Sequence, residues 1–131
     1  MTVSIDPQEK FVWLAVGDGW MKRIGFTCEL NGLKCSAVLM NIESIPFLII
    51  SELNSGVMVS KFPISTVEII MCETKEAILV LIQEKLEKLA EVLMKDEEIT
   101  VDDIVSKANT KLTEYVKKFG PRPAIEIAEE W

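Results

Sequence analysis

The chain has 131 residues, of which 49% are hydrophobic and 27% are charged. This size and composition are enough to bury a core, so we expect a folded domain and not a disordered chain. The net charge of −7 disfavours binding to nucleic acid or to an anionic membrane, because like charges repel. The sequence shows no signal-peptide pattern and no apolar run near the roughly 20 residues that span a bilayer. Three cysteines without CxxC spacing fit a reducing compartment, and we expect a cytoplasmic protein.

The first segment, residues 7–16, allows two interpretations. Asp6-Pro7-Gln8-Glu9 has the features of a helix start, with an N-cap candidate, a proline and a following glutamate. Residues 11–16 (FVWLAV) are instead mostly β-branched or aromatic, and the turn signal Gly17-Asp18-Gly19 comes next. We favour a strand that turns at Asp18-Gly19 and pairs Val16 with Met21.

The next hairpin carries the clearest local pattern. Asn31-Gly32 is typical of a two-residue type I′ turn between two strands. The register that this turn sets pairs eight apolar residues on one face: Leu30 with Leu33, Cys28 with Cys35, Phe26 with Ala37, and Ile24 with Leu39. Cys28 and Cys35 fall at a hydrogen-bonded position, where the wide spacing suits a disulfide poorly. We therefore expect two buried thiols at this pair.

Three further strand segments complete the predicted sheet. Pro46 opens a short apolar run at residues 47–50, and Asn54-Ser55-Gly56 turns the chain into residues 57–59. Pro63 interrupts the pattern, and residues 66–72 (TVEIIMC) have the composition of a last strand.

The period of the apolar residues then changes from 2 to 3.6. Residues 77–82 are apolar on every side of a helix, and a one-sided stripe begins only at Gln83. Glu73 and Thr74 can cap this helix, which we predict to run to about Lys95. The acidic residues 96–98 mark a break.

A second, amphipathic helix is predicted to begin after the break. Thr100 can cap it, with Asp103 three residues later. Gly120, as a left-handed cap, and Pro121 end it.

The sequence therefore predicts an α+β fold in a single domain, residues 1–131. An N-terminal antiparallel meander of five to six strands (residues 1–72) forms a curved sheet or partial barrel, and a two-helix hairpin (residues 73–120) packs on one face. The tail (residues 121–131) adds an edge strand or docks on a neighbouring subunit. Leu79, Val80 and Leu81 cannot all reach the sheet or the second helix, so we expect a homo-oligomer.

The residue types exclude most catalytic constellations. The chain has no histidine, which removes the commonest general base, triad partner and zinc ligand. Gly17-Asp18-Gly19 lacks the further glycine, the lysine and the helix of a phosphate-binding loop. The glutamates of the first helix fit a solvated outer face. We expect no enzyme activity, no cofactor and no metal.

Binding is the remaining class of function. The chain has few arginines and only three tryptophans, and both types are enriched at binding hot spots. The candidate ligand- or partner-binding residues are Trp20, Lys22, Arg23, Lys118, Arg122 and Trp131. The alternative is that Trp20 belongs to the core and the lysines are ordinary surface.

These observations favour a homo-oligomeric, non-enzymatic binding protein. It would inhibit a partner protein or sequester a small anionic ligand, as small inhibitors, immunity proteins and phage-encoded antagonists do. The alternative is an acidic chaperone or adaptor that takes up a segment of another protein.

Overall fold

The structure is a computed structural model that describes residues 3–95 and 100–128, without the side chain of residue 94. The predicted break at residues 96–98 and the candidate residue Trp131 lie outside the described residues. The elements in chain order are β1 (Val3–Ile5), β2 (Lys10–Val16), β3 (Gly19–Leu30), β4 (Leu33–Ile42), β5 (Ile45–Glu52), β6 (Met58–Pro63), α1 (Thr66–Met71), α2 (Lys75–Lys95), α3 (Val101–Phe119) and β7 (Glu126–Ile127).

The strands form one antiparallel sheet in the order β6-β5-β4-β3-β2-β7, and β1 pairs with the second half of β3. The sheet is curved but not closed. Its curvature brings the turn after β5 back to β2, where the Ala15 N–H donates to the Gly56 carbonyl at 2.9 Å. The predicted fold class, a curved antiparallel sheet followed by two C-terminal helices, is confirmed.

The predicted β3–β4 hairpin forms with the predicted turn and register over its first part. Asn31 and Gly32 both have positive φ, 51° and 89°, as a type I′ turn requires. Cys28 lies opposite Cys35, and both are buried free thiols. The expected pair of Ile24 with Leu39 is wrong, because pairing ends at Phe26–Ala37.

The β3–β4 pairing ends beside Gly25, where β4 still passes close to the β3 backbone. A β-carbon there would lie 2.5 Å from the Ala37 carbonyl oxygen, so only glycine permits this close approach. Beyond Gly25, the first half of β3 pairs with β2, which is a strand as predicted.

The predicted register of the β2–β3 hairpin is wrong by two residues. Val16 lies opposite Gly19, and Met21 lies opposite Leu14. The turn therefore consists of Gly17 and Asp18. A shift of two keeps every side chain on its face of the sheet, so the polarity pattern did not distinguish the two registers.

Residues 66–72 are not a strand, which corrects the prediction for the end of the sheet. They form α1 and its C-cap, Cys72. The Ser65 side chain accepts the Glu68 N–H at 3.1 Å, and the Glu68 carboxylate accepts the Ser65 N–H at 3.0 Å. This capping box starts a helix and outweighs the β-branched composition of residues 66–70, because strand propensity is a weak preference.

Helix α2 packs on one face of the sheet and makes the main core. Ile82, Leu86 and Ala90 are buried there against alternate residues of β3, β4 and β5. On α3, Val101, Ile104 and Val105 pack against the same cluster. The Thr74 hydroxyl caps α2 by accepting the Ala77 N–H at 3.1 Å, and Thr100 and Asp103 form a capping box on α3.

The expected uncovered surface of residues 79–81 is mostly absent. Leu81 is buried, and Leu79 packs against the core, whereas Val80 is 59% exposed. Strand β1, which was not predicted, contributes Val3 and Ile5 to the same cluster. A single chain thus covers two of the three residues, which removes this argument for an oligomer.

The end of α3 and the tail lie against the β2–β3 hairpin. Gly120 ends α3 as predicted, although its backbone (φ 82°, ψ 178°) is not the expected left-handed helical cap. Strand β7 pairs with Lys10 and Phe11 of β2, so Glu126 and Ile127 lie at the edge of the sheet. Within the described residues, no helix has both the length and the hydropathy needed to cross a membrane.

Candidate functional site

Trp20 is a structural contact between the hairpin and α3. Its indole ring packs on Tyr115 with centroids 5.4 Å apart, and its Nε1–H donates to the Gly120 carbonyl at 3.1 Å. The Tyr115 hydroxyl in turn donates to the Val16 carbonyl. The half-buried Trp20 therefore fixes the C-terminal end of α3 on the sheet.

Arg122 joins the tail to the turn after β5. Its Nε–H donates to the Asn54 carbonyl at 2.7 Å, and its Nη1–H donates to the Pro123 carbonyl at 2.6 Å. These bonds hold the tail in the position from which β7 reaches β2. The Arg122 guanidinium therefore stabilises the fold by hydrogen bonds within the chain.

We expect Arg122→Ala to lower the free energy of unfolding by about 1–2 kcal/mol, because hydrogen bonds from a charged donor to the backbone are lost. Urea denaturation followed by tryptophan fluorescence measures this. Arg23→Ala is the control: Arg23 is exposed, and its one described hydrogen bond goes to its neighbour Lys22. Equal effects of the two substitutions would contradict the structural role of Arg122.

The other candidate residues do not converge on one site. Lys22 Nζ lies 4.2 Å from the Phe11 ring centroid, a cation–π distance. Arg23 is its neighbour in β3, and adjacent strand residues point to opposite faces. Lys118 is exposed on α3. Of the predicted set, Trp20 and Arg122 both donate to backbone carbonyls, Trp20 to Gly120 and Arg122 to Asn54 and Pro123.

A groove between β6, α2 and α3 is a candidate binding site. Its volume is about 390 Å³, which lies in the range of small-molecule sites. The lining residues are Glu52, Val57, Met58, Val59, Leu89, Val92, Leu93, Ile104, Lys107, Ala108 and Lys111. We call this the β6–α2–α3 groove.

Helical spacing places the groove residues on facing surfaces. Leu89, Val92 and Leu93 follow an i, i+3, i+4 pattern on α2, which puts them on one face. On α3, Ile104, Lys107, Ala108 and Lys111 follow the same rule. Residues 57–59, which follow the Asn54–Gly56 turn, form the wall of the groove on the side of the sheet. Val92 and Met58 are 62% and 53% exposed, so the apolar wall is open to solvent.

The groove carries one buried carboxylate and two ammonium groups. Glu52 is only 5% exposed, and its oxygens accept the N–H groups of Asn54 at 2.9 Å and Ser55 at 3.0 Å. Among the described residues, the ion pairs are Lys10–Asp6 and Lys85–Glu68. Lys107 and Lys111 therefore have no described carboxylate partner and can attract an anion.

Sequence reasoning missed both groove lysines. The signal was present in α3, where Lys107 and Lys111 are separated by one helical turn and flank the apolar stripe at Ile104 and Ala108. The opposing wall could not be seen, because it comes from β6 and α2, far away in the sequence.

The buried Cys35 thiol is a poor nucleophile. A hydrogen bond to the Cys28 thiol and burial raise the pKa of Cys35 far above its ordinary value, so the thiolate is not formed at neutral pH. In the described part of the chain, no group of three or more metal-ligating side chains comes together.

Helix α1 presents a separate apolar surface. Val67, Ile70 and Met71 share one face of the helix and are 69%, 63% and 70% exposed. We call this the α1 face. Glu68 bonds instead to Lys85 of α2, at 3.1 Å.

Comparisons with known proteins give no assignment. No family model matches the chain, and neither a curated protein nor a solved structure matches it.

Proposed function

We propose that this protein is a non-enzymatic binding protein that sequesters a small anionic ligand in the β6–α2–α3 groove. The observation that carries the proposal is the pair Lys107 and Lys111, which lines an apolar groove of about 390 Å³ without a described ion-pair partner. An ammonium pair beside an apolar wall provides both affinity and orientation for such a ligand.

The charge distribution supports a small ligand over a polyanion. The net charge of −7 repels nucleic acids and anionic membranes over long distances, whereas two local lysines can hold a single anionic group. We propose a cytoplasmic location, to which the free thiols of Cys28 and Cys35 are suited.

The groove predicts saturable binding of 1-anilinonaphthalene-8-sulfonate, an apolar anion whose fluorescence rises on binding. We expect Val92→Trp to weaken this binding roughly tenfold or more, because an indole would fill the open apolar wall that a ligand needs. Val92 is 62% exposed, so the larger side chain has room and the fold should persist. A fluorescence titration with a one-site fit measures the effect.

Val80→Trp is the matched control, since Val80 lies on the same helix, is 59% exposed, and does not line the groove. It should bind the probe as the unaltered protein does. Absence of saturable binding, or equal binding by the Val92 variant, would contradict the proposal.

The α1 face supports a second candidate function, self-association with a second copy. In a twofold dimer the same surface patch lies on both sides of the interface, so a patch of like charges would repel itself. The α1 face carries no charge, and Glu68 is paired with Lys85. This surface replaces residues 79–81 as the argument for the homo-oligomer.

Size-exclusion chromatography with light scattering at micromolar concentration should show a dimer. Ile70→Glu should convert it to a monomer, because it would bury one carboxylate from each copy in the apolar interface. Asn109→Glu on exposed α3 is charge-matched and should remain dimeric. A monomeric unaltered protein would overturn self-association without affecting the groove.

A further inference from the structure

We infer that the ligand of the β6–α2–α3 groove is a single-chain carboxylate amphiphile, with its carboxylate between Lys107 and Lys111 and its alkyl chain against the apolar walls. This inference rests on the proposed function, which it makes chemically specific.

The groove walls match an aliphatic chain. The apolar lining residues are Val57, Met58, Val59, Leu89, Val92, Leu93, Ile104 and Ala108, all aliphatic or thioether side chains. No aromatic ring and no arginine is among the described lining residues. A nucleotide or another planar ring would therefore find no stacking partner there. A flexible alkyl chain gains affinity from the same walls through burial of its CH₂ groups.

The polar groups determine which end of the ligand lies where. Lys107 and Lys111 are one turn apart on α3, so both ammonium groups can approach one carboxylate. Lysine stems also cover apolar surface while their charges stay in water, which fits a head group at the rim. Both Glu52 oxygens already accept backbone N–H groups. The buried Glu52 carboxylate therefore repels the carboxylate of the ligand, which favours a position near Lys107 and Lys111.

The test is a series of ligands measured by isothermal titration calorimetry and by displacement of 1-anilinonaphthalene-8-sulfonate. For butanoate, hexanoate, octanoate and decanoate, we expect affinity to rise roughly twofold to fourfold per added CH₂ group, as partial to full burial of a methylene predicts. Decanol should bind roughly fivefold more weakly than decanoate, because it lacks the ionic contact with the lysines.

The double variant Lys107→Ala/Lys111→Ala separates the head-group contact from a general loss of structure. It should bind decanoate about as weakly as decanol, while its affinity for decanol should stay unchanged. The control Lys88→Ala/Lys117→Ala removes the same charge from exposed positions outside the groove and should retain the preference for decanoate.

Affinity that does not rise with chain length would overturn the inference, as would an equal loss of decanoate and decanol binding in the groove variant. If the sulfonate probe still binds and Val92→Trp still blocks its binding, the proposed function stands, and only the inference of a carboxylate amphiphile is wrong. If Val92→Trp leaves every ligand bound, both fail.

Discussion

Gly56→Ala is expected to lower the free energy of unfolding by about 4 kcal/mol, since it combines backbone strain with a steric clash. Gly56 has a φ of +70°, and a β-carbon there would lie 2.5 Å from the Trp13 carbonyl oxygen and 2.9 Å from the Ala15 nitrogen. These atoms belong to the β2 backbone, which cannot move without breaking its pairing with β3. The Gly56 carbonyl also accepts the Ala15 N–H, so the clash falls where the sheet curves back on itself.

Two other glycines provide matched controls for this prediction. Gly32 has a φ of +89° but open space around it, and Gly17 has open space without a positive φ. Gly32→Ala should cost about 1 kcal/mol from the left-handed backbone alone, and Gly17→Ala should be neutral or slightly stabilising. Urea denaturation of the three variants measures the free energy of unfolding of each and so ranks them. A Gly56 variant as stable as the Gly32 variant would contradict the close contact between the turn after β5 and the β2 backbone.

Leu86→Ala is expected to cost about 3 kcal/mol, within the range for a buried leucine replaced by alanine. Leu86 is fully buried in the centre of α2 and belongs to the cluster that joins α2 to the sheet. The loss combines the transfer energy of the removed groups with a cavity that a rigid sheet cannot close.

Val80→Ala is the control on the same helix. Val80 is 59% exposed, and alanine has the better helix propensity, so its effect should be near zero or slightly stabilising. Thermal and urea unfolding of both variants measure the difference. Similar losses at Leu86 and Val80 would contradict the packing of α2 and would reopen the case for a partner that covers residues 79–81.

Local patterns predicted those elements in which several signals agree. The Asn31-Gly32 turn sets both the register and the buried face of the β3–β4 hairpin, and the observed pairs follow it as far as Phe26–Ala37. Helix α3 likewise has a capping box at Thr100 and a stop at Gly120. In each case turn or cap chemistry and apolar periodicity indicate the same structure.

The failures occurred where signals conflicted or where distant contacts decide. Ser65 and Glu68 form a capping box that the β-branched residues after it obscured. The register of β2 on β3 could not be read from polarity, because pairing Val16 with Gly19 or with Met21 leaves the same faces. The β3–β4 pairing ends beside Gly25, which lies close to Ala37, and this contact between strands has no local signature.

The candidate groove was even harder to predict from the sequence, because it exists only in the tertiary structure. Rarity of arginine and tryptophan pointed to Trp20 and Arg122, which bond instead to the backbone at Gly120 and Asn54. The groove is built from three segments that no sequence window contains, residues 52–59, 89–93 and 104–111. Only its lysine pair was visible in advance, as a one-turn repeat on α3.

The groove is tested most directly by titrating isotope-labelled protein with decanoate and following its backbone amide resonances. Binding in the groove predicts saturable shifts confined to amides in residues 57–59, 89–93 and 104–111, with the largest changes near Lys107 and Lys111. Shifts centred on the α1 face or on the β2–β3 hairpin, or no saturable shifts at all, would contradict it.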